Sequence, residues 1–539
     1  KQDRKGQTQK EKDGTSNDKL ATICFDTRIT MMLASSQEGN VRIEEGVSSS
    51  TEKTEKTSPE KTRKIEPFEL EKAQREEQNE EDEDGTENLE AALLPPSEQH
   101  RRQQKQQKPR VYFQRWIQLG YLSGLAMLSD WICFSVAASK DQFEELYEIE
   151  DSTKLIDWFL FTNVVSCFLV TDCVARMGLQ RCIRAAAILM AIGACLRMLS
   201  SYVGYNYPLV LAGTLMVGAA QPFFQCTPPL LSAIWFASDE RATSTAVALN
   251  FNQIGIAMAF LVGGPMAGSG DPKGLQWYFV LMAVLCVALA VGTCLQFQAK
   301  PPTAPSPSEM DKQQNHNHKE PPFYASAIQF FRTPGFVRAL AAFVCSITVT
   351  NVVGALIEEV MHRGGIEETW HVALAGGVFE VAIVLGGIVL GGYVDRTKNY
   401  KSVTTACLGI SIILLLPLGL TEHKLGKEPA VMVISLLLLG FFTGPIQPIN
   451  AELAVDVTFP GDETAVESTQ QIFGNLVSAL LMPCAEWAAH QDYQLFKRIP
   501  LLACDIRGDV ILLVAVTVVT MLYFSGFHAP LKRTKADMH

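Results

Sequence analysis

The chain has 539 residues, of which 47% are hydrophobic and 19% charged, with a formal net charge of -11. Mean hydropathy is +0.11 although the first hundred or so residues are strongly polar, so the rest is far more apolar than a water-soluble protein. The 13 cysteines stand singly in apolar surroundings, without a C-x-x-C pair, which argues against a disulfide framework or a zinc site.

Residues 1–110 are rich in Lys, Glu, Gln, Ser and Thr, without apolar periodicity, and read as a disordered cytosolic tail. The chain starts at Lys1 rather than Met, as a truncated chain would, and shows no cleavable signal peptide: the patch from Leu20 to Ser36 is interrupted by Asp26 and Arg28. The acidic run Glu80 to Asp84 accounts for part of the net charge. Glu90-Ala91-Ala92-Leu93-Leu94 looks like an acidic dileucine sorting signal with a spacer one residue short. A basic cluster (Arg101, Arg102, Lys105, Lys108, Arg110, Arg115) then precedes the first long apolar segment, the arrangement expected on the cytosolic side of a membrane.

From Trp116 onward, apolar segments recur at membrane-spanning length, about 20 residues each. Spans are expected near 114–138, 155–176, 181–202, 207–234, 242–268 and 275–298, then near 335–361, 370–393, 402–420, 429–449, 464–489 and 508–528. The fold expected is an all-α polytopic membrane protein with twelve transmembrane helices in two six-helix bundles. Residues 111–298 form the first bundle, 299–334 a Pro-rich cytosolic linker, 335–528 the second bundle and 529–539 a cytosolic C-tail. Basic residues gather after span 2 (Arg176, Arg181, Arg184), after span 8 (Arg396, Lys398, Lys401), in the linker and in the C-tail, whereas the first loop is acidic. Both termini are therefore expected in the cytosol.

Span 4 and span 5 carry amides where a structural helix would use Leu or Val: Gln221 beside Pro222, then Asn252 and Gln253. A buried amide without a partner costs roughly 1–3 kcal/mol. These side chains need partners, either neighbouring helices or a polar solute.

Between spans 8 and 9, Gly391-Gly392-Tyr393-Val394-Asp395-Arg396 followed by Lys398 and Lys401 resembles the G-x-x-x-D-R signature of the major facilitator superfamily. A carboxylate there can meet a helix N-terminus and nearby arginines and latch one conformation, which makes Gly391, Asp395 and Arg396 gating candidates. A degenerate copy after span 2 retains Arg176, Gly178 and Arg181, but Ala175 holds the carboxylate position and Asp172 lies three residues earlier. Two copies at corresponding places favour a duplicated architecture. Gly387 and Gly391, flanked by Gly386 and Gly392, form a G-x-x-x-G face suited to close helix packing.

A closer resemblance is to solute carrier family 49, which includes the feline leukaemia virus subgroup C receptors. It is carried by Gln221 to Pro229, Ile234-Trp235-Phe236, Asn252 to Gly255, Gly440 to Gly444, Glu452 to Asp456 and Gln471 to Gly474. That resemblance implies transport of choline, ethanolamine or haem, in the plasma membrane or an endolysosomal one. It also implies a central cavity to which Trp131, Gln221 and Gln471 contribute, with Asn351 where choline-transporting members carry Tyr. An aromatic box holds a quaternary ammonium by cation–π attraction, about 0.5–2 kcal/mol; losing one wall shifts the expectation toward a smaller or more polar amine. Asp130, next to Trp131, is an intramembrane carboxylate and hence a site candidate, as counter-ion or proton site; the alternative is a position near the outer rim, paired with Arg197. Glu380, Glu452 and Asp456 raise the same question, the last two with a gating or structural role at the cytosolic end of span 10.

The histidines form no paired ligand motif within a span, so nothing argues for haem ligation. No nucleophile–base pair, metal cluster or nucleotide loop is evident, and no catalytic residue, metal or cofactor is expected. The expected protein is a monomeric carrier in the lipid bilayer for a small polar or cationic solute, working by alternating access, with no nucleic-acid partner. The competing class is a non-transporting receptor or sensor on the same scaffold.

Overall fold

A computed structural model describes residues 109–136, 140–149, 152–267, 272–314, 322–355, 357–363, 365–366, 369–420, 428–495 and 504–538. All of these fall within one compact unit, Ala91–His539. The expected tail, its dileucine pattern and most of the basic cluster lie outside the described residues.

Twelve helices among the described residues are long and apolar enough to cross a membrane. Spans 1 to 6 are Gln114–Phe134, Lys154–Met177, Leu179–Tyr202, Tyr207–Trp235, Arg241–Ala267 and Pro272–Gln296. Spans 7 to 12 are Phe336–Gly354, Leu374–Thr397, Tyr400–Gly419, Pro429–Thr458, Glu463–Ala489 and Gly508–Ser525. In such segments every backbone polar group must find its partner within the helix, so interruptions have identifiable causes. Span 4 breaks between Gln225 and Pro228, because Pro228 and Pro229 offer no N–H to continue the ladder; they open the next short helix instead. Span 10 breaks the same way at Gly444-Pro445. Span 5 passes through a π turn at Ala259–Gly263, where Gly263 leaves room for the Tyr278 hydroxyl.

Two hydrophobic cores result. One draws on spans 1 to 6 and includes Leu122, Phe159, Met190, Val217 and Tyr278. The other draws mainly on spans 7 to 12, and Cys167, Val170, Cys226 and Ala242 reach into it from the first bundle. Spans 5 and 8 make the long inter-bundle seam. A Cβ on Gly387 would lie 2.2 Å from Asn250 Nδ2, and one on Gly391 would lie 3.1 Å from the Ala242 carbonyl. Gly386, on the other side of span 8, packs on span 10, where a Cβ would lie 1.9 Å from the Phe441 carbonyl. The glycine face thus lets span 8 approach two neighbours at backbone distance.

The connections hold more structure than their polarity suggests. The acidic first loop contains the helix Lys140–Tyr147, which buries Phe143 and Tyr147 against the bundle; Tyr147 Oη lies 2.6 Å from Ser200 Oγ. Burial, opposed by the Ser200 hydrogen bond and the Arg197 charge, pushes the Tyr147 phenol up to about 12. The linker forms the helices Pro307–Gln314 and Phe323–Arg332. Between spans 11 and 12 an antiparallel hairpin pairs Asp492–Leu495 (β1) with Cys504–Arg507 (β2). The N-terminal flank meets the linker through Arg110 N and the Ala304 carbonyl, and the C-terminal helix Lys532–Met538 meets it through Asp537 and Ser308. These three segments therefore share one face of the protein, the linker face.

Candidate functional site

Two polar constellations stand out between the bundles. The first lies at the linker face. Asp395, 2% exposed, ends span 8 with its carboxylate over the N-terminus of span 5. Oδ1 accepts from Ala242 N at 2.8 Å, and Oδ2 accepts from Thr243 N and Thr243 Oγ1, both at 2.7 Å. Free N–H groups and the positive end of the helix dipole both favour an anion at that place. Arg396, the other gating candidate at this place, is exposed, turned away by its position one residue on along the helix. The nearby cation is Lys398, whose ammonium lies 3.8 Å from Asp395 and donates to the Ser238 carbonyl. Burial lowers the Lys398 pKa, against the raising effect of Asp395.

The degenerate copy after span 2 works differently. Arg176 is exposed, and Asp172 accepts from Phe323 N at 3.3 Å, holding the linker helix rather than a membrane span. The first turn of span 11 is held by the linker, where Lys312 pairs with Glu463. Asp462 caps the same span by accepting from Thr464 N at 2.8 Å.

A strap from the C-terminal helix completes this face. Asp537 accepts from Arg241 at 2.7 Å and from Ser308 N at 3.0 Å, so the tail joins the first bundle to the linker. Asp456 accepts from the backbone N–H groups of Arg533 and Thr534 and from the Thr534 hydroxyl. Glu452 lies 3.8 Å from the Arg533 guanidinium and accepts from Thr245 Oγ1 of span 5 at 2.5 Å. Glu452 and Asp456 are thus built into the closure. For Asp537 burial raises the pKa, but the Arg241 charge, the Ser308 hydrogen bonds and the Arg533 charge together outweigh it and hold the carboxyl below its usual range.

The second constellation lies deeper in the bundles. Asp130, 6% exposed, accepts from Gln221 Nε2 at 2.8 Å through Oδ1, and its Oδ2 has no partner. Gln221 Oε1 in turn accepts from Asn163 at 2.5 Å, and Asn163 also reaches Gln225 at 3.3 Å. Arg197 does not pair with Asp130. Its guanidinium donates to Thr214 and Ser135, each at 2.7 Å, and lies over the Phe279 ring. Trp131 is 4% exposed, packed in the core of the first bundle, with its indole N–H donating to Tyr278 Oη at 2.8 Å. In this conformation its ring is a packing element, as a residue about 100° round the helix from Asp130 can be.

From the second bundle, Gln471 donates to Glu467 at 2.9 Å within its own helix, while the exposed Asn351 donates to Ser478 at 3.0 Å. Glu380 of span 8 is 9% exposed and its Oε2 has no partner. The Asp130–Trp131 peptide packs on Gly255 of span 5 and span 8 packs on the same helix through Gly377 and Gly387, so Asp130 and Glu380 lie at similar depth in the two bundles. The structure therefore brings Asp130 and Gln221 together and sets Glu380 opposite them, and Trp131 does not share that grouping. Asn163 and Glu467, absent from the sequence reading, were legible by the same rule that found Asp130: polar groups inside apolar spans are costly and want an explanation.

The description "Major Facilitator Superfamily" belongs to the family model that matches residues 152–482. A choline/ethanolamine transporter of Danio rerio is 25% identical over 380 residues, 68% of this chain and 79% of that protein. Solute carrier family 49 member A3 of Xenopus tropicalis is 25% identical over 394 residues, 69% of this chain and 77% of its own length. An uncharacterized MFS-type transporter of Caenorhabditis elegans is 26% identical over 394 residues, and the match spans 66% of its length. Among solved structures, the transporter FucP in its outward conformation superposes with a TM-score of 0.57 at 14% identity, covering 77% of this chain and all of that one (100%). The proton:xylose symporter XylE matches with a TM-score of 0.57 at 14% identity, over 78% of this chain and 98% of that one. With twelve spans, two bundles and a family match running from span 2 into span 11, this chain is an integral membrane protein and belongs to the major facilitator superfamily.

Proposed function

We propose that the protein is a carrier that moves a small polar or cationic organic solute, of the choline or ethanolamine kind, by rocking its two bundles around a site between them. The observation that carries this reading is the buried Asp130–Gln221 contact in one bundle with the buried Glu380 at similar depth in the other, beyond a linker face closed by Asp395. A solute seated between the bundles would be enclosed only when both contribute, and closure at one face leaves the other free to open, the requirement for alternating access. A static receptor has no need of a latch made from a helix N-terminus and a carboxylate on opposite bundles. The relatives named as choline/ethanolamine transporters support the solute class. The basic flanks support a cytosolic linker face, so the conformation described is the outward-facing one, in a monomer at the plasma membrane or an endolysosomal membrane.

The test is uptake of labelled choline and ethanolamine into proteoliposomes holding the purified full chain. Saturable uptake that falls in the Asp395→Asn variant is expected. Binding of a solute without any flux would favour the receptor reading, and absence of both would reject the solute class.

A further inference from the structure

Two carboxylates from opposite bundles each keep one oxygen without a hydrogen-bond partner: Asp130 Oδ2 and Glu380 Oε2. Both side chains are more than nine-tenths buried, and among the described residues neither makes an ion pair. An isolated buried carboxylate is costly in free energy unless a positive charge or hydrogen-bond donors meet it. Here the protein supplies Asp130 with a hydrogen bond from Gln221 and a weaker interaction from the Gln225 side chain, and Oδ2 is left without a hydrogen-bond partner. Gln221 is held in that orientation because its own oxygen is taken by Asn163.

Packing places the two acids at similar depth. A Cβ on Gly255 would lie 3.0 Å from Trp131 N, so the Asp130–Trp131 peptide sits against that point of span 5. On the facing side of span 5, Asn250 meets Gly387 and Leu261 meets Gly377. The helices run antiparallel, so Glu380 stands level with about Met258, one turn from Gly255. Glu380 Oε1 also lies 3.8 Å from where a Cβ on Gly354 would be, and Asn351 is one helical turn away on that same span 7. The polar groups near the two acids include the amides of Gln221 and Asn351. The rings adjacent to them in sequence are engaged elsewhere: Trp131 is buried with its N–H donating to Tyr278, and Phe379 is buried with its ring against Gly440 of span 10.

We infer that Asp130 and Glu380 form a divided two-carboxylate seat for a small organic cation bearing N–H donors, so that a primary ammonium binds in preference to its quaternary counterpart. This rests on the carrier reading above and narrows its solute class. A primary ammonium offers three N–H groups, enough to reach both unpartnered oxygens while its charge offsets theirs. A quaternary ammonium offers none and depends on aromatic faces for its attraction. Rocking of the bundles would then assemble the seat when the two carboxylates converge on one nitrogen and divide it when they part.

The experiment uses the purified full chain and the series ethanolamine, N-methylethanolamine, N,N-dimethylethanolamine and choline, read as ligand-induced rise in melting temperature and as competition for ethanolamine uptake. Affinity should fall along the series, with ethanolamine favoured over choline by roughly tenfold or more. Asp130→Asn and Glu380→Gln, nearly isosteric, should each lose the ethanolamine response while the ligand-free protein melts as a single folded species. Choline binding as tightly as ethanolamine, or a full ethanolamine response in both variants, would overturn the inference while leaving the carrier reading intact. If one variant fails to fold, the methylation series on the parent still decides. No response and no uptake for any member of the series would instead overturn the carrier reading itself.

Discussion

Replacing Asp395 by Asn tests the linker-face closure with the smallest change of shape. The carboxylate accepts three hydrogen bonds at 2.7–2.8 Å from the first residues of span 5. An asparagine keeps one acceptor oxygen and turns an NH2 group toward donors. Hydrogen bonds to charged groups contribute about 1.5–3 kcal/mol each, and an anion at a helix N-terminus a further 0.3–1 kcal/mol or so. Rearrangement of the amide recovers part of this, so a loss of about 3 kcal/mol from the closed state is a reasonable figure, at the upper end of typical site couplings of about 1–3 kcal/mol. The contact joins span 8 to span 5 and is made only when the linker face is closed, so the loss falls on one conformation. At about 1.4 kcal/mol per tenfold, the balance between closed and open moves by roughly 100-fold. Ala246, fully buried and 3.5 Å from where a Cβ on Gly387 would be, is a suitable reporter once replaced by cysteine in a cysteine-depleted background. Membrane-impermeant maleimide applied from the linker face should label it much faster in Asp395→Asn, and solute turnover should fall. Unchanged labelling and unchanged turnover, with normal insertion, would refute the latch.

Asp537→Ala breaks a pair with Arg241 whose side chains are 4–5% exposed; removing one member of a buried pair costs about 3–5 kcal/mol, to be read as a lower melting temperature and faster labelling at the linker face. The pH dependence of the strap follows from the two shifts. The Asp537 pKa is depressed, so its contribution is present above the unfolded carboxylate value of about 3.9 and is lost as pH falls through the folded value. For Lys312 burial lowers the pKa, but Glu463, Asp462 and Glu309 together raise it by more, so that contribution is lost only as pH rises past 10.5. Melting temperatures between about pH 5 and 8 should therefore show no titration from either group. Trp131→Phe should lower stability by about 1–3 kcal/mol, since it leaves the buried Tyr278 hydroxyl without its donor, and should leave solute affinity within a few-fold of the parent in a binding assay. Gly386→Leu should abolish folded protein, as judged by size-exclusion chromatography, because any Cβ there meets the Phe441 carbonyl at 1.9 Å.

The fold was legible because a membrane imposes one strong rule, apolar length, and twelve segments obey it. Boundaries moved where the rule is weak. Span 10 runs on to Thr458, well past the expected end, since Glu452 and Asp456 read as polar from sequence but are satisfied by Thr245 and the C-terminal helix. The latch carboxylate was legible as a motif, whereas its basic neighbour was not: Lys398 lies just past the end of the helix at φ 52°, and that turn, which a motif does not express, brings its ammonium back to Asp395. Asp130 was legible as costly, but its neighbours Gln221 and Asn163 come from spans 4 and 2, contacts at long sequence separation that a periodic pattern cannot express. The linker looked like a polar tether because its helices are short and stabilised by partners elsewhere in the chain.

Those partners bear on how the two halves divide the work of closure. In the second half Asp395 closes the linker face directly on span 5, joined there by Glu452, which accepts from Thr245 Oγ1. At the corresponding place in the first half Ala175 offers no charge; spans 2 and 11 pack through residues such as Val170 and Val466, with the Thr171 and Ser468 hydroxyls 3.4 Å apart, and no ion pair joins the two spans among the described residues. The missing attraction is supplied from outside the bundles: Lys312 pairs with Glu463 on span 11, Asp172 receives Phe323 N of the second linker helix, and Asp537 ties Arg241 to Ser308. A charge inside a duplicated latch can only report on the two spans that it joins. A charge placed on the linker or the tail also responds to whatever else holds those segments. On the proposed carrier reading, the duplicated architecture keeps one closure that is intrinsic to the bundles and one that passes through linker and tail, and opening of the linker face would require both to release.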